Sequence, residues 1–127
     1  MPPFGDGREV ALSITADLIR GHTDTIILAA LMSEDSYGYR ISRMISKQTD
    51  GRFEMKEATL YTAFKRLEES GYISSYWGEE GTGARRRYYA ITAKGREAYT
   101  RLLHEWAEAG ELIERLIKAP SVGVDNI

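Results

Sequence analysis

Apolar positions divide the chain into a helical first half, a short alternating stretch and a long helical tail. Val10, Ile14 and Leu18 are spaced by four and predict a helix, with Gly21 as a point of break or bend. The run resumes from Asp24 to Ser33. It is apolar nearly all round from Thr25 to Met32, so a helix here needs cover on more than one side. Glu34-Asp35-Ser36 reads as a turn. A further helix is expected from Tyr37 to Gln48, with Ile41, Met44 and Ile45 inward and Tyr39, Arg40, Arg43 and Lys47 outward. Thr49-Asp50-Gly51 ends it with turn residues, and Phe53 is expected to plug the core. Leu60, Phe64 and Leu67 then recur at i, i+4 and i+7 in Glu57–Gly71, with Gly71 as the stop. The other face of that helix carries Thr59, Tyr61, Thr62, Lys65 and Arg66.

After Gly71 the period falls to two. Tyr72–Trp77 and Arg85–Ile91 alternate as strands of a hairpin, and Gly78–Ala84 reads as a flexible loop between them. Thr92 is placed to cap a final helix over about 93–118. Along it Tyr99, Leu102, Trp106, Ala109, Ile113 and Leu116 are spaced 3, 4, 3, 4, 3, the seam of a helix that pairs with another helix. Since the preceding domain closes its own core, the partner expected is a second subunit. Pro120 stops the helix. The fold class is therefore mainly α with a small β-hairpin: a winged helix-turn-helix with a long C-terminal dimerisation helix. The division expected is a flexible arm over 1–9, the winged domain over 10–92, the dimerisation helix over 93–118 and a disordered tail over 119–127.

Composition narrows the chemistry. Hydrophobic residues make up 43% of 127 positions, enough for a core. With no cysteine and only His22 and His104, disulfides, thiol catalysis and a structural metal site have nothing to rest on, and no cofactor is expected. No paired acids or Ser/His/Asp arrangement supports an enzyme. Met1–Asp6 lacks the basic start and apolar core of a signal peptide, and no apolar run is long enough to span a membrane. The location expected is the cytoplasm.

The net charge of −2 hides a strong asymmetry. Residues 36–96 carry a local +5, residues 1–35 a local −4 and residues 97–127 a local −3. A basic middle between acidic ends is compatible with double-stranded DNA, because binding follows the local field. By itself Glu57–Gly71 reads equally as a solvated amphipathic helix or as a recognition helix. Arg85-Arg86-Arg87 reads either as a guarded strand edge or as phosphate contacts of a wing. Strand alternation keeps the three from sharing one face, and Arg85 and Arg86, near the loop, are taken as contacts. Tyr39 joins them at the start of its helix. Trp106 reads as an interface Trp or as a flat π surface for a planar or cationic ligand. A protein-protein adaptor that uses the same wing and helix without DNA or ligand is the alternative.

The residues Tyr37-Gly38-Tyr39, Ala58-Thr59-Leu60-Tyr61, Lys65-Arg66-Leu67-Glu68, Gly71-Tyr72-Ile73, Arg86-Arg87-Tyr88-Tyr89, Ile91-Thr92 and Gly95 together resemble PadR-type transcriptional regulators. Thr62, Ser74–Gly78 and Trp106 look most like the small-PadR branch exemplified by the lactococcal multidrug-binding repressor. That resemblance implies a homodimer whose C-terminal helix packs on the partner's N-terminal helix. It also implies an apolar pore where Trp106 stacks on a planar aromatic effector that relieves repression. Leu18, Gly21, Asp24, Thr25, Leu103, Ala107 and Gly110 match the pore positions. Three departures stand out. Gly110 replaces an acid one turn past the Trp, Asp24 replaces a neutral amide, and Ala84-Arg85 replaces the wider family's Arg-Pro.

Overall fold

A computed structural model describes residues 7–79 and 85–119, with side chains at 14–78 and 85–119. It consists of α1 (Gly7–Arg20), α2 (Thr23–Ser33), α3 (Gly38–Gln48), α4 (Glu57–Glu69), β1 (Ile73–Glu79), β2 (Arg85–Ile91) and α5 (Ala93–Ile117). The core is built from Ile27, Leu28, Leu31, Ile41, Ile45, Leu60, Phe64, Leu67 and Ile73, with Phe53, Met55 and Tyr89 closing its ends. The inward residues expected of α4 are there, and so are Ile41 and Ile45 of α3, with Met44 partly buried against them; Met55, which no periodic pattern marks, joins the core.

The first helical run breaks at Gly21–His22. Thr23, buried at the start of α2, donates its hydroxyl to the Arg20 carbonyl (2.7 Å) and so satisfies an end group of α1. The helix begins at Gly7, so it includes part of the segment expected as a loose arm. The remainder of that arm, and most of the expected tail, lie outside the described residues. The apolar α2 packs against α4, α5 and β2, which accounts for its lack of a polar face.

Two sequence expectations between the helices change. Ser36, at the end of the expected turn, is buried and forms a β-bridge. It exchanges backbone hydrogen bonds with Tyr89 (3.1 and 2.8 Å), giving β2 a one-residue neighbour opposite β1. The hairpin also runs further than expected. Gly78 and Glu79 are strand residues paired with Arg86 and Arg85. A Cβ at Gly78 would fall 2.6 Å from the Tyr88 ring, so the missing side chain leaves room for the aromatic to cross the strand. The rest of the expected loop lies outside the described residues.

The helix ends follow local chemistry. Gly71 adopts φ +81°, which permits Tyr72 N–H to bond Leu67 C=O and Gly71 N–H to bond Glu68 C=O, both at 3.0 Å. This double bond is the Schellman arrangement that closes α4. Thr92 caps α5: its hydroxyl oxygen accepts from Gly95 N–H (3.0 Å) and donates to Gly71 C=O (2.7 Å). Gly95 is buried against the turn after α4, where an added Cβ would lie 2.0 Å from the Tyr72 carbonyl oxygen. Gly95→Ala is therefore expected to lower stability by about 1–3 kcal/mol through overpacking. A lower urea midpoint at unchanged slope would show this; an unchanged midpoint would mean that α5 and the turn separate freely.

Candidate nucleic-acid interface

The inward face of α4 settles where its polar residues go. Leu60, Ala63, Phe64 and Leu67 are each 1% exposed or less, and Thr59, Tyr61, Thr62, Lys65 and Arg66 are all exposed. They do not form one uniform surface. Thr62 and Lys65 stand opposite the buried stripe. Thr62 donates its hydroxyl to Ala58 C=O (3.1 Å), and Lys65 makes no ion pair among the described residues. Tyr61 sits on one shoulder, edge-on to Phe64 (6.0 Å) and close to buried Gly38 of α3. On the other shoulder Arg66 turns towards α2 and grips Asp24 with two nitrogens (Nη2–Oδ1 2.5 Å, Nε–Oδ2 3.3 Å). The hydrogen bond to Asp24 raises the Arg66 pKa further above its ordinary value. On α3, Tyr39 is half exposed and accepts a hydrogen bond from Arg43 (3.0 Å).

The hairpin is fastened to α4 by one stack and one polar relay. Tyr89 stacks on Phe64 with centroids 4.1 Å apart, and its burial raises the phenol pKa. Ser75 donates to the Glu68 carboxylate (2.6 Å), and Arg87 donates to the Ser75 hydroxyl (2.8 Å) and lies 3.8 Å from the same carboxylate. The wing arginines divide between two faces. Alternation puts Arg85 and Arg87 together over the Trp77 ring (5.1 and 5.6 Å), whereas Arg86 lies on the Tyr37 ring (4.6 Å). Arg85 and Arg86, taken together from their nearness to the loop, thus belong to different faces. Arg40 also lies over Tyr37 (5.0 Å), and Tyr37 meets Tyr88, which stacks on Tyr76. Tyr76 in turn donates to Asp35 (2.6 Å), a bond that raises its pKa. Sequence reasoning did not single out this aromatic-arginine cluster. Its signal was the tyrosines at 37, 76 and 88, which are far apart along the chain.

Beside the Arg66 shoulder lies a cavity of ≈ 370 Å³ between the α1–α2 junction and α5. Gly21, Asp24, Thr25 and Trp106 line it, together with Arg20, His22, Thr23, Arg66, Leu102, Glu105 and Ala109. Leu18, Leu103, Ala107 and Gly110 do not. Leu18 and Leu103 are exposed, and a Cβ at Gly110 would meet nothing within 4 Å. At 100° per residue, the wall faces the side of α5 that carries Leu102, Glu105 and Ala109, and Trp106 stands at its edge with Leu103, Ala107 and Gly110 beyond it. The seam of α5 also divides. Tyr99 and Leu102 pack on the chain's own core, against the expectation that they serve a second subunit, because the first turns of α5 cross α2. Trp106 is 53% exposed, Ala109 is exposed, and Ile113 and Leu116 are 53% and 82% exposed. A separate apolar cavity of ≈ 360 Å³ lies between α2 and α3, lined in part by Ile26, Ala30, Met44 and Phe53. Among the described residues no three His, Asp or Glu side chains are grouped to hold a metal ion, and no helix is long and apolar enough to cross a membrane.

Residues 27–101 match the Transcriptional regulator PadR-like family. The chain belongs to the PadR-like family of transcriptional regulators. Regulators of this family bind DNA, are typically dimeric and are not enzymes. A transcriptional regulator from Clostridium thermocellum superposes with a TM-score of 0.74 at 48% identity, covering 81% of this chain and 97% of that one. A PadR family transcription regulator from Clostridium difficile gives 0.66 at 31% identity, covering 76% and 99%. A protein of Lysinibacillus sphaericus is 46% identical over 101 residues, 80% of this chain and 93% of its own length.

In this PadR-family chain the contact surface is set by how the hairpin is tied to α4. Glu68→Ala leaves the Ser75 hydroxyl and Arg87 without their shared acceptor. It is expected to cost about 0.5–1.5 kcal/mol in urea unfolding. A variant as stable as the unsubstituted protein would show that the Phe64–Tyr89 stack holds the wing alone.

Proposed function

We propose that this PadR-like regulator is a dimeric repressor that lays α4 in the major groove of its operator and is released by a planar effector. The observation that carries the DNA half is the division of α4: a wholly buried inner face fixes the helix, and a hydroxyl- and cation-bearing outer face is left exposed. Thr59 and Thr62, near its N-terminus, approach base edges. Lys65 and Arg66 take phosphates, and Arg85 and Arg86 of the wing, with Tyr39 of α3, touch the neighbouring backbone. The second half of α5 forms the subunit contact through Ala109, Ile113 and Leu116, whose exposure leaves an apolar stripe to be covered. A two-fold dimer then reads a pseudo-palindrome with half-sites about one helical turn, or a multiple, apart. A protein of this kind acts in the cytoplasm, where its DNA lies.

The effector half rests on Trp106. A half-exposed indole on the wall of a cavity lined also by two acids, Asp24 and Glu105, and two cations, Arg20 and Arg66, supports stacking of a planar aromatic or cationic molecule. When two subunits meet along α5, such a molecule alters the angle between them and hence the half-site spacing. This is the response of the small multidrug-binding branch that Thr62 and Trp106 resemble.

Two measurements test the reading. Lys65→Ala is expected to weaken binding to every duplex sequence and to reduce the salt slope by up to about one unit. Unchanged affinity and slope would remove Lys65 from the interface. Because the chain holds two tryptophans, the effector test uses a Trp77→Phe background, in which Trp106 alone emits. Planar aromatic dyes are expected to quench that emission, and Trp106→Ala is expected to lose dye binding while remaining dimeric by sedimentation. A dimeric Trp106→Ala protein that binds the dyes as before would end the stacking role.

A further inference from the structure

We propose that Asp24 and the DNA backbone compete for Arg66, so that Asp24 is a built-in stand-in for a phosphate that holds Arg66 away from the operator. The inference rests on reading α4 as the helix that enters the groove. Arg66 lies one turn beyond Thr62 and seven residues beyond Thr59, at the edge of the surface that meets DNA. Its partner is a carboxylate engaged through both oxygens (2.5 and 3.3 Å), the two-pronged geometry in which a guanidinium also takes a phosphate.

The pair suits exchange better than it suits support. Its side chains are 53% and 35% exposed, and ion pairs in that setting contribute little. Nor does α4 need it. Four almost completely buried side chains anchor the helix, the Phe64–Tyr89 stack and the Glu68–Ser75–Arg87 relay fasten its flank, and its C-terminus is closed at Gly71. A phosphate approaching that shoulder thus replaces one anionic partner of Arg66 with another and leaves α4 in place.

Asp24 also lines the Trp106 cavity, which gives the exchange a second consequence. A cation bound there neutralises Asp24 and releases Arg66, so at this contact cation and DNA favour one another. By linkage the effect is reciprocal, and DNA that draws Arg66 away leaves Asp24 free for the cation. Charge on an effector therefore works against the release that its shape brings about.

The test needs no effector and no known operator, because a phosphate contact is independent of sequence. Binding to a short duplex of arbitrary sequence is followed by fluorescence anisotropy over a series of salt concentrations, with each variant's fold checked by circular dichroism. Asp24→Asn is expected to tighten binding by about 1.5- to 5-fold and to steepen the salt slope by up to about one unit. The gain is expected to vanish when Arg66 is also replaced, so that the Asp24→Asn, Arg66→Ala protein binds like Arg66→Ala. Equal or weaker binding by Asp24→Asn, or a gain that survives the loss of Arg66, overturns the competition. Lys65→Ala on the same duplex separates the two possible failures. If it binds as tightly as the unsubstituted protein, the reading of α4 falls and the competition with it. If Lys65→Ala weakens binding and Asp24→Asn does not tighten it, only the competition falls.

Discussion

The structure depends on covering α2. This helix has no polar side to offer water across most of its length, and Ile27, Leu28 and Leu31 are 1% exposed or less. Each such side chain gains about 1.5–3 kcal/mol from complete burial, so the elements around α2 are arranged to supply it. α4 covers one side, α5 another and β2 a third. These three elements carry the candidate DNA surface, the subunit surface and the wing. They are therefore parts of one packed unit with α2 at its centre. The residue that begins the helix, Thr23, uses its buried hydroxyl to finish the helix before it. One residue later Asp24 reaches across to α4. Apolar burial sets the framework, and polar groups at its margin connect the surfaces that the framework holds apart.

The cations of the basic middle are sorted by their neighbours. Arg87 belongs to the relay that fixes the hairpin, Arg86 and Arg40 rest on one tyrosine, and Arg66 is held by a carboxylate. Lys65 is left with the outer face of α4. A local excess of positive charge is thus a poor guide to how many cations meet a ligand, since several have other partners in the fold. What distinguishes them is the nature of the partner. A ring supports a guanidinium without neutralising it, so Arg85 on exposed Trp77 still presents its full charge. A carboxylate cancels it.

Most of the framework was legible in the sequence because it is governed by neighbours a few positions apart. Leu60, Phe64 and Leu67 mark the inner face of α4, Gly71 its end and Thr92 the start of α5, each through a local rule of spacing or capping. The errors lie where distant partners override those rules. Ser36 looked like turn chemistry but pairs with Tyr89, more than fifty positions later. Gly78 looked like a loop but is strand, because a tyrosine on the opposite strand fills the space above it. The heptad seam of α5 is real as a pattern, yet its first members serve the chain's own core, since periodicity does not say which partner a face meets. Of the positions taken as pore residues, Gly21, Asp24 and Thr25 share a wall with Trp106 within one chain. The Arg66–Asp24 pair joins residues 42 positions apart, and neither has a local pattern that points to the other.

One junction has a mechanical meaning. Thr92 is the single residue between β2 and α5, and its hydroxyl is bound at once to the first turn of α5 and to the turn after α4. Gly95 removes the remaining gap by seating α5 directly on the Tyr72 carbonyl. No slack is left at this pivot. Beyond it α5 is 25 residues long, a rod of about 37 Å. A tilt of about 5° at Thr92 carries the far end of such a rod through roughly 3 Å. Small angular changes at the pivot are thereby magnified into displacements on the scale of a side chain at the distant tip. In the opposite direction the same lever converts a shift between two tips into a fine rotation beneath the wing.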